Sequence, residues 1–286
     1  MDSTLTTPTP VPGAPYPGVP RLRCSNEPPS DPRNQPTGSG VPLTAPAMVM
    51  PELYGRVTLD IETANGRPED VERWARMQWA PNPRLKPATI GQKYLDALEA
   101  KTQKLALMDE APVIIVGVKS ETEARLLHCM EAHEPKQEHG ALVEGFDSER
   151  NMLIALRNVL DSFCTPETLL VGHNIEHFDL PKLRFRYVHA KVRQPRVLLD
   201  GHQPVFDSML EYGRRFTQNK NPFIAAADLA ELLGLQNGHK SLISGKDVPE
   251  LYASGQYDVL LQYNRLDLHI EERFFLTMTG QAADLA

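Results

Sequence analysis

Cysteine is scarce in this 286-residue chain, with three residues, Cys24, Cys129 and Cys164, and no C-x-x-C pair. An odd, scattered set argues against a disulfide framework and against a cysteine-ligated zinc, and it fits a reducing, cytoplasmic location. Long apolar runs are missing as well. No stretch approaches the roughly 18 consecutive apolar residues of a membrane-spanning helix, so no membrane partner is expected. The N-terminus lacks the basic start and apolar run of a secretory signal. Positive charge is in deficit, with 30 Lys and Arg against 37 Asp and Glu and a net charge of −7. Such a chain does not coat nucleic acid by bulk electrostatics, and a nucleic-acid partner would need a local basic patch or metal ions. What is there is globular in composition, 41% hydrophobic and 23% charged, enough for a core.

Proline is concentrated at one end. Twelve of the 25 prolines fall within residues 1–50, among Thr, Ser and Gly. Such a segment buries too little apolar surface to offset its ordering entropy, so 1–49 is expected to be a disordered tail. In that tail Arg21, Arg23 and Arg33 cancel Asp2, Glu27 and Asp31, which leaves the whole negative charge to a domain over 50–286. Within it, strands are expected at 55–63, 112–119, 125–130, 168–171 and 196–199. Helices are expected at 68–79, 88–107, 147–164 and 180–192, then at 207–216, 224–234, 247–254 and 256–278. Strands early, helices interleaved and then massed at the end read as a mixed α/β domain.

Three acidic elements carry chemistry. Asp60 and Glu62 lie two apart on a strand, so they share one face while Leu59 and Ile61 point to the other. Paired carboxylates repel unless a cation sits between them, and hard divalent ions favour oxygen ligands. The spacing alone is weak, because Asp70/Glu72 and Asp147/Glu149 repeat it at positions that capping and solvation explain. The second element runs from Val171 to Pro181, where Asp179 precedes a helix with Pro181 in its first turn and also suits an N-cap. Asn174 and Phe178 on the same connection are left unexplained by capping. The third is Tyr263-x-x-x-Asp267 in the last helix, an i, i+4 pair beside Val259, Leu266, Ile270 and Phe274. A carboxylate within an apolar stripe calls for a partner or a metal.

Taken in order, Asp60-Ile61-Glu62-Thr63, Asn174-x-x-x-Phe178-Asp179 and Tyr263-x-x-x-Asp267 resemble the three motifs of the DEDD 3′–5′ exonucleases in their tyrosine variant. The wording is similar to the exonuclease domains of family-B DNA polymerases and their stand-alone bacterial relatives. The segment Ser244-Gly245-Lys246-Asp247-Val248-Pro249-Glu250-Leu251-Tyr252 is similar to the one preceding their third motif. The resemblance spans 55–278 and implies an RNase H-like α/β fold around a mixed five-stranded sheet. It implies two Mg²⁺ or Mn²⁺ ions, the first held by Asp60, Glu62 and Asp267 and the second by Asp60 and Asp179, with Tyr263 orienting water. It further implies hydrolysis of phosphodiester bonds at the 3′ end of nucleic acid, DNA favoured over RNA, with release of nucleoside 5′-monophosphates. Thr63, Asn174, Phe178, Lys182 and Arg186 are then expected to contact the substrate. Lys182 and Arg186 open a run of six basic residues and no acidic one between Pro181 and Leu199. One departure stands out: helical sequence over 67–108 separates the first motif from the next β-strand, an inserted arm that either packs on the core as an amphipathic pair or uses Trp74, Trp79, Lys86, Lys93, Lys101 and Lys104 to stack on bases or touch phosphates.

Two alternatives compete. His173-Asn174-Ile175-Glu176-His177 matches the H-x-x-E-H signature of zinc peptidases, which requires both histidines on one helical turn, whereas here a loop is expected. A non-catalytic nucleic-acid-binding module on the same fold is the other. The Pro-rich tail suits a tether to a polymerase or another repair partner, none of which the sequence identifies.

Overall fold

β-Branched and apolar residues fill Arg56–Thr63 and Val113–Lys119, and these form β1 and β2, the centre of a mixed sheet in the computed structural model. The structure describes residues 55–80, 82–199, 201–217, 223–235 and 243–281. All lie within the compact unit Val49–Ala286, and the Pro-rich segment 1–49 lies outside the described residues. The other strands are β3 (Ala124–His128), β4 (His133–Glu138), β5 (Ala141–Gly145), β6 (Leu169–Gly172) and β7 (Val205–Asp207). Their order is β4-β5-β3-β2-β1-β6-β7. β1 pairs antiparallel with β2 and parallel with β6, and β7 lies parallel to β6.

The described helices are α1 (Pro68–Gln78), α2 (Pro87–Thr102), α3 (Glu149–Phe163), α4 (Asp179–His189) and α5 (Arg196–Leu199). They continue with α6 (Ser208–Tyr212), α7 (Ala226–Leu232), α8 (Val248–Ala253) and α9 (Tyr257–Met278). Among the described residues, no helix is long and apolar enough to cross a membrane. The fold is therefore α/β, with seven strands flanked by helices rather than five. β4 escapes pattern reading because His133–Glu138 is almost wholly polar and contains Pro135, which an edge strand tolerates. The expected strand at 196–199 is a helical turn, α5, whose Arg196 N–H donates to Asp161. The seventh strand comes instead from Val205–Asp207.

The sheet is covered on both faces, which explains why β2 is buried nearly throughout. On one face Val57, Leu59 and Ile61 pack with α3 and α4 through Met152, Leu156, Leu160 and Leu183. Ser148 caps α3 by accepting from the Asn151 N–H, and the helix buries Met152, Leu153, Leu156, Val159, Leu160 and Phe163. Each such side chain stabilises by about 2 kcal/mol relative to exposure, which fixes α3 against β1 and β2. Across the other face lies α9, opposite Thr58, Asp60 and Glu62 of β1. The charged positions of β1 thus face a helix, and the apolar ones face the larger core cluster.

Candidate metal centre

The strand alternation of β1 delivers Asp60 and Glu62 to the face that α9 crosses, and α9 answers with Tyr263 and Asp267. Carboxylate oxygens of Asp60, Glu62 and Asp267 all lie within 4.8 Å of one another. Glu62 and Asp267 are buried, and Asp60 is half-buried. Asp179, at the start of α4, reaches the same strand: its Oδ1 accepts the Ile61 N–H at 3.1 Å. That bond answers the capping question. The residue preceding α4 is Phe178, which makes no side-chain cap, and Asp179 is tied to β1 instead.

Close approach of α9 depends on one residue without a side chain. Gly117 of β2 pairs with Asp60, and a Cβ there would stand 2.3 Å from Asn264 Oδ1 and 2.6 Å from Leu268 Cδ1. Through this gap Asn264 Nδ2 donates to Asp60 Oδ2 at 2.7 Å. Asn264 is fully buried, so the bond is shielded from water and fixes one oxygen of Asp60.

The electrostatics follow from burial of several anions in one place. Burial pushes the Asp60 carboxyl well above its ordinary value, and the charges of Glu271, Glu62, Asp267 and Asp179 push it further. Asp179 is raised to about 7, chiefly by burial and also by Asp207 and Asp267, against the lowering effect of the Ile61 N–H. The Tyr263 hydroxyl, hydrogen bonded to Asp267, is pushed above the ordinary tyrosine value by burial and by the surrounding carboxylates. Three converging carboxylates that offer only oxygen donors fit a hard divalent cation such as Mg²⁺ or Mn²⁺.

The connection carrying the second motif is held by Asp207. Asn174 adopts a left-handed backbone (φ 63°), which Asn tolerates better than most residues. Its N–H donates to Asp207 Oδ1, and the Glu176 N–H donates to Asp207 Oδ2, both at 3.1 Å. Asp207 also caps α6 by accepting from Met209 N–H and Leu210 N–H. Phe178 packs partly buried against the core.

Three expected substrate contacts are reassigned. Lys182 is buried, donates to the Met108 carbonyl, and has its pKa lowered to about 8 by that burial. Arg186 is buried between the Glu149 carboxylate and the Glu110 carbonyl, so it is an internal brace. Thr63 is buried too, and its hydroxyl donates to Ala106 O at 2.9 Å. Of the six-residue basic run, Lys191, Arg193 and Arg196 are exposed, while Arg184 donates to Leu198 O. The H-x-x-E-H match lies in a turn, and His173 is engaged by Ser208 at 2.8 Å and by Ile224 O at 2.9 Å. The helical geometry that a zinc peptidase requires is not formed.

Asn264 and Glu271 were not singled out by the sequence motifs. The signal was present in α9: Asn264, Asp267 and Glu271 fall three and four apart, so polar residues continue along the face that Tyr263 and Asp267 begin. Of the stripe expected on that face, Ile270 and Phe274 are buried, and Val259 and Leu266 only partly so. No protein-family model matches the chain, and no curated protein sequence does either.

Proposed function

We propose that the protein is a metal-dependent 3′–5′ exonuclease with an RNase H-like fold, hydrolysing phosphodiester bonds of nucleic acid and releasing nucleoside 5′-monophosphates. The observation that carries this reading is the convergence of Asp60, Glu62 and Asp267, brought from one strand and a distant helix to within 4.8 Å of one another. The fold offers support: without β4 and β5 the sheet reduces to a mixed five-stranded unit, β3-β2-β1-β6-β7.

In this reading Asp60, Glu62 and Asp267 would hold one divalent ion, and Asp60 with Asp179 a second. Such a pair supplies Lewis-acid activation of water and charge stabilisation at the departing oxygen. The chain's own residues do the rest. Asn264 holds one oxygen of Asp60 and so fixes the carboxylate beside Glu62 and Asp267. Tyr263 keeps its proton at neutral pH, so its hydroxyl orients by hydrogen bonding and is not a general base. Asn174 and Phe178, on the turn fixed by Asp207, are available to the terminal nucleotide by hydrogen bond and by packing.

The test is digestion of 3′-labelled DNA and RNA oligonucleotides in Mg²⁺ or Mn²⁺, beside an Asp60→Ala control. Loss of label as mononucleotide by the wild type only, with DNA cut faster than RNA, is the expected result. Cleavage retained by folded Asp60→Ala, or binding without cleavage in both metals, contradicts the reading.

A further inference from the structure

The arm formed by α1 and α2 takes no part in the chemistry above, yet its root is firmly placed. Thr63 donates through its hydroxyl to Ala106 O, the Gly66 N–H to Leu105 O at 3.2 Å, and the Ala64 N–H to Pro112 O at 3.1 Å. Since Thr63 directly follows Glu62, the arm departs from and returns to the edge of the acidic cluster. α1 buries Val71 and Ala75, but α2 buries no residue at all. An amphipathic pair packed on the core would bury an apolar face of each helix. The packing explanation therefore covers α1, whereas α2 rests on α1 with no residue more than half-buried.

The surface left open has a definite chemistry. Both tryptophans of the chain belong to this arm. Lys101 Nζ lies 5.0 Å from the ring centroid of Trp74, and Trp79 meets Tyr94 edge to face with centroids 5.0 Å apart. Trp79, Leu85, Ile90 and Lys93 line a groove of about 330 Å³. Between 79 and 107 there are five basic residues against two acidic ones, in a chain of net charge −7. Four of the five, Arg84, Lys86, Lys93 and Lys104, are exposed, and none forms an ion pair among the described residues. Aromatic rings that accept bases, flanked by unpaired cations that meet phosphates, are the two components of single-strand binding.

We propose that the α1–α2 arm binds single-stranded nucleic acid, through Trp79, Tyr94 and the lysines of α2, and leads its 3′ end to the acidic cluster. Delivery of that end rests on the exonuclease reading, whereas strand binding stands apart from it.

The experiment titrates the full chain into a fluorescein-labelled single strand of about 20 nucleotides, as DNA and as RNA, in EDTA, followed by anisotropy. Trp79→Ala is expected to raise Kd about tenfold. Lys86→Glu combined with Lys93→Glu is expected to raise it about tenfold at about 50 mM salt and to flatten the salt dependence. Lys136→Glu on β4, a single charge reversal away from the arm against the two made on it, is expected to shift Kd less than about twofold. The lysine pair is exposed, so it tests the proposal even if Trp79→Ala perturbs the fold. Absence of strand binding by the wild type, equal Kd for wild type and arm variants, or an equal loss in the control overturns the proposal. Arm-dependent binding without metal-dependent hydrolysis retains the arm and refutes the exonuclease. Hydrolysis with arm-independent binding does the opposite.

Discussion

Asp179→Asn separates charge from geometry at the acidic centre. The amide keeps an oxygen where Asp179 accepts the Ile61 N–H at 3.1 Å, and it removes one charge. In the ion-free protein, burial and the neighbouring carboxylates raise the Asp179 pKa from 3.8 to about 7. Between those values the folded protein keeps a proton that the unfolded chain has released, so stability falls as pH rises through the window and levels above it. Each pH unit within it corresponds to about 1.4 kcal/mol, which makes Asp179 responsible for a loss of about 3 kcal/mol between pH 5 and pH 8. The substituted amide cannot titrate. Urea unfolding in EDTA, followed by circular dichroism, is therefore expected to show the stability advantage of Asp179→Asn growing by about 3 kcal/mol from pH 5 to pH 8. Saturating Mg²⁺ narrows the advantage, because ion binding stabilises the wild type. An advantage that does not change with pH refutes the burial argument for this carboxylate.

Other outcomes follow from the same contacts. Gly117→Ala drives a methyl group into Asn264 and Leu268 and is expected to destabilise by about 3 kcal/mol, a fall in Tm of about 10 °C by calorimetry. Arg186→Ala leaves the half-buried Glu149 carboxylate without its cation and is expected to destabilise by about 2 kcal/mol while the Kd for a single strand stays at the wild-type value. A weakened Kd in folded Arg186→Ala would restore it as a substrate contact. Tyr263→Phe is expected to slow hydrolysis about a hundredfold with Mn²⁺ binding unchanged. The wild-type rate is expected to show no tyrosine limb near pH 10, since that hydroxyl is held above its ordinary value.

Much of the site was legible because local period and chemistry coincide. Alternation on β1 put Asp60 and Glu62 on one face, and helical spacing stacked Tyr263 with Asp267; both relations hold within single elements. Their meeting is tertiary, and it turns on Gly117, whose missing side chain lets α9 approach. What pattern reading lost was set by partners far along the chain. Lys182 and Arg186 have the composition of a phosphate-binding face, but carbonyls at 108 and 110 and the Glu149 carboxylate draw them inside. β4 has no hydrophobic alternation to detect, since its edge position asks for none. Val197 and Leu198 are apolar in a run too short to distinguish strand from helix, and packing of α5 against α3 decided for the helix.

Electron paramagnetic resonance of Mn²⁺ added to the metal-free protein tests the acidic centre most directly. About two ions bound per chain are expected, with binding lost or strongly weakened in Asp60→Asn and in Asp267→Asn while both remain folded. Mn²⁺ that stays free in the presence of the wild type, or binds both variants as it binds the wild type, would contradict the account.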